Sequence, residues 1–556
     1  MIQEKINFND QENKYTKISF VLVLFCLLVQ LLVFNRIGLI AVSYLLSSLL
    51  FHSIWLFLLL YALPKAIFYL LKQDKHHIQS ITLSLRAIFA LSFSFAVMIS
   101  IICWNSSYFI SHLVWQRPLA IFAVKMFLCM LAPLAIIAAC KGFFQAFHLH
   151  FLISIGKSLF CVFFLLSEFL LLYHFQKEGE IANIVYHSDG FLPAFLAMAY
   201  ILALGLSSLV VSIVYLFFLF LFQKKLQSVT LEENLLEEPV LKPQESFGEK
   251  FFTLGKITLS LWMPYIAYFL VFILNDLVLS FGLITAPTSL MNIWGEYALK
   301  CLTIWFIPVW AILSFSQHSL LPLHKKSRKF SRFFAPEKSR AILRVTLNIC
   351  LPIMILVFVF GQQIFSVWLP EIFPKSSILP IPINYIGAIL LLPLILSLTS
   401  AELLVATRYS GALIRHNFYT LSLHSVVLII GFLFRLNIYS LFIAQASFFL
   451  SNAIINYAFF TSTVGKIPDL KQNILYPVFA NGIFFLLVFV LFQLFSLWIK
   501  SLVGVFCLTL FPSMVIYIFL LLYFQLIPEE DLSYWISEKS VLHINHFFDK
   551  LKSRPH

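Results

Sequence analysis

The chain alternates long apolar runs with short polar breaks. A helix of roughly 20 apolar residues crosses a bilayer core of about 30 Å, and about fourteen runs here are of that kind. They cover 18–34, 38–63, 84–104, 119–140, 150–174, 191–222, 257–283, 295–323, 341–369, 383–407, 415–435, 438–462, 473–499 and 501–524. Only helices and closed barrels satisfy their backbone groups in lipid, and a barrel strand needs only about 10 residues. The pattern predicts an all-α polytopic membrane protein. The first run leads straight into a second with no small-residue cleavage site, so it is read as a helix and not as a signal peptide.

The polar breaks assign the sides. Most of the 38 Lys and Arg lie at the N-terminus, on the even-numbered connections and at the C-terminus. The positive-inside rule then places both termini in the cytoplasm. The strongest basic run is His324 to Arg344, with Lys325, Lys326, Arg328, Lys329, Arg332, Lys338 and Arg340. Trp104, Trp115, Trp294, Trp368 and Trp498 all fall at predicted outer ends, as an interfacial aromatic belt requires.

Composition narrows the class further. With 61% hydrophobic and 11% charged residues, the spans consume nearly the whole length. A soluble catalytic domain has no room, and the chain is expected not to be an enzyme. The net charge of +13 reads as inner-face anchoring to anionic lipid, with no nucleic-acid partner implied. The 8 cysteines are scattered without a CxxC pair, and His52, His112, His318 and His424 show no ligand spacing. No metal or cofactor is expected. No GxxxxGK[ST] is present, so the chain has no sequence basis for ATP hydrolysis. Residues 223–256 form the longest connection and hold Glu232, Glu233, Glu237 and Glu238; they read as a cytoplasmic hinge loop. In the tail, 527–556, Leu532, Trp535, Ile536, Ile544, Phe547, Phe548 and Leu551 share one helical face, which suggests an amphipathic helix on the inner leaflet.

A two-fold repeat is suggested by Leu63-Pro64-Lys65 and by Leu321-Pro322 followed by Lys325 and Lys326, each at the inner end of the second helix of its half. The stretch NRIGLIAVSYLLSSLLF…LPKAIFYLLKQDK resembles the start of the polysaccharide-biosynthesis branch of the MATE-like flippase superfamily. That branch includes the stage V sporulation protein B group and is related to the MurJ lipid II flippases. KGFFQAFHLHFLISIGKS resembles its "GyfQg…p.aiSq" turn, and LLVATRYSGALIRHN its "lL.atgr" turn. Pro264, Asn275-Asp276, GEYALK, SLLP and Leu351-Pro352 fall between them in family order. The chain departs from the pattern at Ala62, Lys157, Phe160 and Phe164, which leaves substrate identity open.

The resemblance implies two pseudo-symmetric six-helix lobes, 1–222 and 257–465, plus two extra helices at 466–526. It also implies a transporter of the bacterial cytoplasmic membrane, monomeric, that flips a lipid-linked oligosaccharide outward by alternating access. Membrane lipids and that substrate are the expected partners, with a coupling ion as an option.

Charges inside spans are costly and default to functional candidates. Lys125 lies about 9 Å inside the outer end of the fourth span, at 1.5 Å per residue. Lys300 lies at similar depth in the eighth, one turn below Glu296, so a cavity role competes with a local ion pair. Asp276, beside Asn275, is expected to neutralise Lys125 or Lys300, and Arg36 to line the cavity mouth or anchor to headgroups. Lys157 and Glu168 return to nearly one face of the fifth span; Glu402 lies near the inner end of the tenth. Substitution of Lys125 or Lys300 is expected to weaken transport more than substitution of Lys157. Pro64, Pro133, Pro264, Pro308, Pro322, Pro352 and Pro393 are candidate kinks or hinges.

Three functions compete. A flippase is favoured by fourteen spans over twelve and by a cationic interior. A Na⁺- or H⁺-coupled drug or small-molecule antiporter would use Asp276 or Glu168. A membrane glycosyltransferase needs acidic residues on its first outer loop, which here is little more than Asn35 and Arg36.

Overall fold

The computed structural model describes residues 9–74, 78–115, 117–147, 149–233, 246–280, 328–363, 365–370, 383–436, 439–465 and 471–523, and between 296 and 320 only part of the chain. Among these, 13 helices are long and apolar enough to cross a membrane, and each coincides with one of the predicted runs. The predicted eighth span lies largely outside the described residues. So do Pro322, Trp294, His318 and the amphipathic tail. No strand occurs among the described residues. The protein is a multi-pass helical membrane protein.

The chain divides into two compact units, Met1–Gly295 and Glu296–His556. The first holds α1 (Asn9–Ile37), α2 (Leu39–Phe57), α3 (Leu63–Asp74), α4 (Ile78–Tyr108), α5 (Ala120–Met126), α6 (Leu128–Ala146), α7 (His150–Tyr186), α8 (Phe191–Glu233), α9 (Phe247–Trp262) and α10 (Ile266–Ser280). Gly38 separates the first two spans with φ of +83°, a conformation that glycine adopts without a side-chain clash. The predicted second span is α2 and α3 joined by a π turn, Leu58–Ala62, immediately before Pro64. The seventh is α9 and α10 joined by a 3-10 turn, Met263–Tyr265, at Pro264. Two of the predicted kink prolines thus mark real departures from α geometry, whereas Pro133 sits inside a continuous helix.

α7 and α8 form the longest hairpin. α7 has 37 residues, about 55 Å at 1.5 Å each, and so outruns the bilayer. The predicted span stops at 174 because polar residues follow. The helix continues through them, with Gln176 donating to Glu180 at 3.1 Å. At the turn, His187 adopts a left-handed φ of 50°. Asn183 Oδ1 then accepts from Phe191 N and Leu192 N, capping α8. Ser167 and Ser207 hydroxyls meet across the pair at 3.3 Å, the kind of small polar contact that joins helices where lipid supplies no hydrophobic drive. The predicted hinge loop is helical at both ends: α8 runs to Glu233, and α9 begins in a capping box between Ser246 and Glu249.

The second unit holds α11 (Arg328–Phe360), α12 (Phe365–Trp368), α13 (Ile383–Ala406), α14 (Ser410–Leu433), α15 (Tyr439–Thr463), α16 (Tyr476–Trp498) and α17 (Leu502–Tyr523). Pro352 and Pro393 lie inside α11 and α13 without interrupting them. The last two helices pack with the end of α11 around Phe360, Phe484, Val488 and Tyr517. Of the tryptophans expected in an aromatic belt, Trp104 and Trp498 are exposed. Trp115 departs from it: it is buried, edge-on to Phe51 at 6.1 Å.

Candidate functional site

The first unit buries an ion pair. Arg117, in the turn between α4 and α5, places Nη1 3.2 Å from Asp276 Oδ1 of α10; both side chains are at most 3% exposed. The same nitrogen also donates to Ser47 Oγ of α2. The backbone holds Arg117 in place, its N–H donating to Ser111 O at 2.8 Å. Sequence reasoning assigned Asp276 to Lys125 or Lys300; the structure gives it Arg117 instead. Arg117 sits just outside a predicted span, and its presence on a connection otherwise poor in basic residues was the available signal. Beside Asp276, the buried Asn275 amide has no hydrogen-bond partner among the described residues, nor does Nε2 of buried His52, whose ring stacks on Phe127 at 3.8 Å. Unsatisfied polar groups in a dry interior cost about 1–3 kcal/mol each and mark places where a ligand or water is wanted.

A second buried group joins α1 to α7. Glu168 Oε2 accepts from Gln30 Nε2 at 2.7 Å, and the Oε1 atoms of both residues have no partner among the described residues. Gln30 was not singled out from the sequence, although a glutamine in mid-span is itself a signal. Lys157, on the same helix as Glu168, is exposed, so the polar stripe expected on that face runs from an open end to a closed interior.

The remaining candidates separate. Lys125 is half-buried, with Nζ 4.8 Å from the centroid of the exposed Trp104 ring, a cation–π contact on the rim of its helix pair. Arg36 is exposed at the end of α1. Within the second unit, Lys300 Nζ lies 2.5 Å from Glu296 Oε1, one helical turn away, and both are buried; the local ion pair is formed. Glu402 is buried near the end of α13 and Pro308 is buried in the described part of the eighth span.

The second unit also holds a network that sequence reasoning missed. Asn452 Nδ2 donates to Asn417 Oδ1 at 2.5 Å, and Asn456 Nδ2 donates to Asn452 Oδ1 and, at 3.2 Å, to Ser400 Oγ. His416 Nδ1 meets Asn456 Oδ1 at 2.8 Å. These groups tie α13, α14 and α15 together. The i,i+4 pair Asn452 and Asn456 in the twelfth predicted span was the legible sign. Among the described residues, no cluster of three His, Cys, Asp or Glu is arranged to hold a metal ion.

No protein-family model and no curated protein sequence matches the chain. Solved structures do. The chain is similar to the lipid II flippase MurJ in an inward closed conformation, with TM-score 0.52 and 13% identity over 90% of this chain and 97% of that one. It is also similar to the eukaryotic MATE transporter AtDTX14, with TM-score 0.45 and 14% identity over 81% of this chain and 95% of that one. The fold is therefore that of the MurJ flippase, spanning nearly its full length.

Proposed function

We propose that the chain is an integral membrane transporter that flips a lipid-linked oligosaccharide, either lipid II or a polysaccharide precursor, across the bacterial cytoplasmic membrane by alternating access. The observation that carries this reading is the fold shared with a lipid II flippase over 97% of that protein's chain. The chemistry is consistent with it. A diphosphate-sugar head has to be shielded from hydrocarbon while its tail stays in lipid, and a helix bundle with buried charge supplies that shield. Both termini face the cytoplasm in this proposal, which follows the basic-residue asymmetry. The protein acts as a monomer, with lobes at 1–222 and 257–465 linked by 223–256.

Glu168 favours a second reading, an ion-coupled drug or small-molecule antiporter of the same fold. It is an acid inside the first unit with one oxygen unpartnered among the described residues, the kind of group that takes up a proton or a cation. The test uses purified protein in vesicles loaded on one leaflet with a fluorescent polyprenyl diphosphate disaccharide. Protein-dependent appearance of the label on the other leaflet supports the flippase. Dye efflux driven by an ion gradient, with the lipid staying in place, transfers the assignment to the antiporter.

A further inference from the structure

Three lysines of the first unit converge where α3, α6 and the start of α7 meet, the end that the basic-residue asymmetry assigns to the cytoplasm. The convergence is built by the backbone. Pro64 has no N–H to return to the preceding π turn, and Lys141 Nζ lies 3.4 Å from the Leu60 carbonyl of that turn. Gly142, next to Lys141, lets α6 lie against α3 at this bend: a Cβ there would fall 2.8 Å from Pro64 O and 2.7 Å from Ile67 Cβ. Lys65, one residue past the proline, donates to Tyr61 OH at 2.5 Å and lies 4.1 Å from that ring's centroid. Tyr61 OH is 3.3 Å from Tyr265 OH, and Phe57 stacks on Tyr61 at 4.4 Å, so Lys65 has an aromatic wall. Lys157 lies two turns into α7, which starts only a few residues after α6 ends at Ala146, so the charges of Lys65 and Lys157 lie within electrostatic reach of Lys141.

The cluster lacks counter-charge where it is most needed. Among the described residues, neither Lys141 nor Lys157 has a carboxylate at ion-pair distance. Like charges gathered in this way repel one another, and an anion placed among them turns that repulsion into binding. An ammonium carries three donors, and Lys141 uses one on Leu60, so donors remain for a ligand. The paired tyrosine hydroxyls make the wall beside them polar. Compact point charges on flexible stems, with hydroxyls alongside, suit phosphate oxygens.

We infer that Lys65, Lys141 and Lys157 form a phosphate-binding site at this end of the first unit, and that it takes the diphosphate of the lipid-linked substrate on entry. The substrate's identity rests on the flippase reading; the phosphate chemistry does not. This site replaces Lys125, which faces a tryptophan, as the cationic receptor expected from the sequence.

The test uses the full chain in zwitterionic nanodiscs and native mass spectrometry, with three probes: polyprenyl diphosphate, phosphatidylglycerol and inorganic pyrophosphate. Wild type is expected to bind polyprenyl diphosphate with salt-sensitive affinity, and pyrophosphate to compete for the site. The Lys141→Gln/Lys157→Gln variant should bind about ten- to a hundredfold more weakly, the scale of lost charge-assisted hydrogen bonds. Lys141→Arg/Lys157→Arg should retain most of the binding. Lys157→Gln alone, at an exposed side chain with no hydrogen bond to lose among the described residues, guards against a folding artefact and should still weaken binding several-fold. Equal binding by wild type and both Gln variants would overturn the site. So would binding of phosphatidylglycerol as tight as that of polyprenyl diphosphate, which would make it a headgroup anchor. Lysine-dependent diphosphate binding without flipping would leave the site standing and sink the flippase reading; flipping that ignores the lysines would do the reverse.

Discussion

The buried polarity described in the two units differs in kind. In the first unit it is largely ionic: Arg117 with Asp276, Glu168 held by one amide, and lysines gathered without an acid beside two of them. The second holds a local ion pair, Lys300 with Glu296, and the buried Glu402, but its contacts across α13, α14 and α15 are mainly a neutral relay of Asn417, Asn452, Asn456, His416 and Ser400. A neutral relay completes itself and fixes helix register. Charges left partly unsatisfied store a demand that a ligand or an ion can meet. Under the proposed function, the contrast separates groups that hold helices together from groups that meet the substrate.

The sharpest way to break this contrast is at the ion pair. Asp276→Ala strands a buried guanidinium and is expected to cost about 3–5 kcal/mol, read from the denaturant midpoint in detergent. The Arg117→Met/Asp276→Leu pair should recover most of that loss, because a buried ion pair is replaceable by apolar packing of similar volume. A double variant as unstable as the single one would show that the pair does more than neutralise itself. Asn452→Ala removes two amide contacts and should cost about 1–2 kcal/mol, near the upper range for hydrogen bonds between membrane helices. Glu168→Gln should move the unfolding midpoint by less than about 0.5 kcal/mol, since an amide can still accept from Gln30. Transport or its ion dependence should nevertheless fall; a variant indistinguishable from wild type in both would remove Glu168 from the functional set. Lys125→Ala should have the smallest effect on transport, leaving it intact, and should cost about 0.5–1 kcal/mol of stability for a cation–π contact at a partly exposed site.

That last expectation reverses the order suggested by the sequence, and the reason is physical. Spans are legible because bilayer thickness fixes their length and composition, so thirteen runs reappear as helices with ends displaced by several residues, outward where α7 continues past Lys177 and inward where α11 stops at Phe360. Partners are far less legible. In lipid both faces of a helix are apolar, so no 3.6-residue stripe tells which side turns inward. Lys125 and Lys141 look alike in sequence, yet one lies over Trp104 and the other over the Leu60 carbonyl. Arg117 was missed because it sits in a turn that the fold buries. The glutamine and asparagine partners, Gln30 and Asn452, carry no charge to mark them, although an amide in mid-span carries nearly the same structural obligation. The π turn before Pro64 has no sequence signature beyond the proline itself.

The central claim is that the charged groups of the first unit act on the substrate while the amide relay of the second only holds helices. It is tested most directly by comparing initial flipping rates, per folded molecule in vesicles, for Lys141→Gln/Lys157→Gln and for Asn452→Ala. The account predicts about a tenfold or greater loss of rate, equivalent to at least 1.4 kcal/mol, with an unchanged unfolding midpoint for the lysine pair. For Asn452→Ala it predicts a lowered midpoint and a rate close to wild type. A lysine pair that flips at full rate, or an asparagine variant that is fully stable yet inactive, would contradict it.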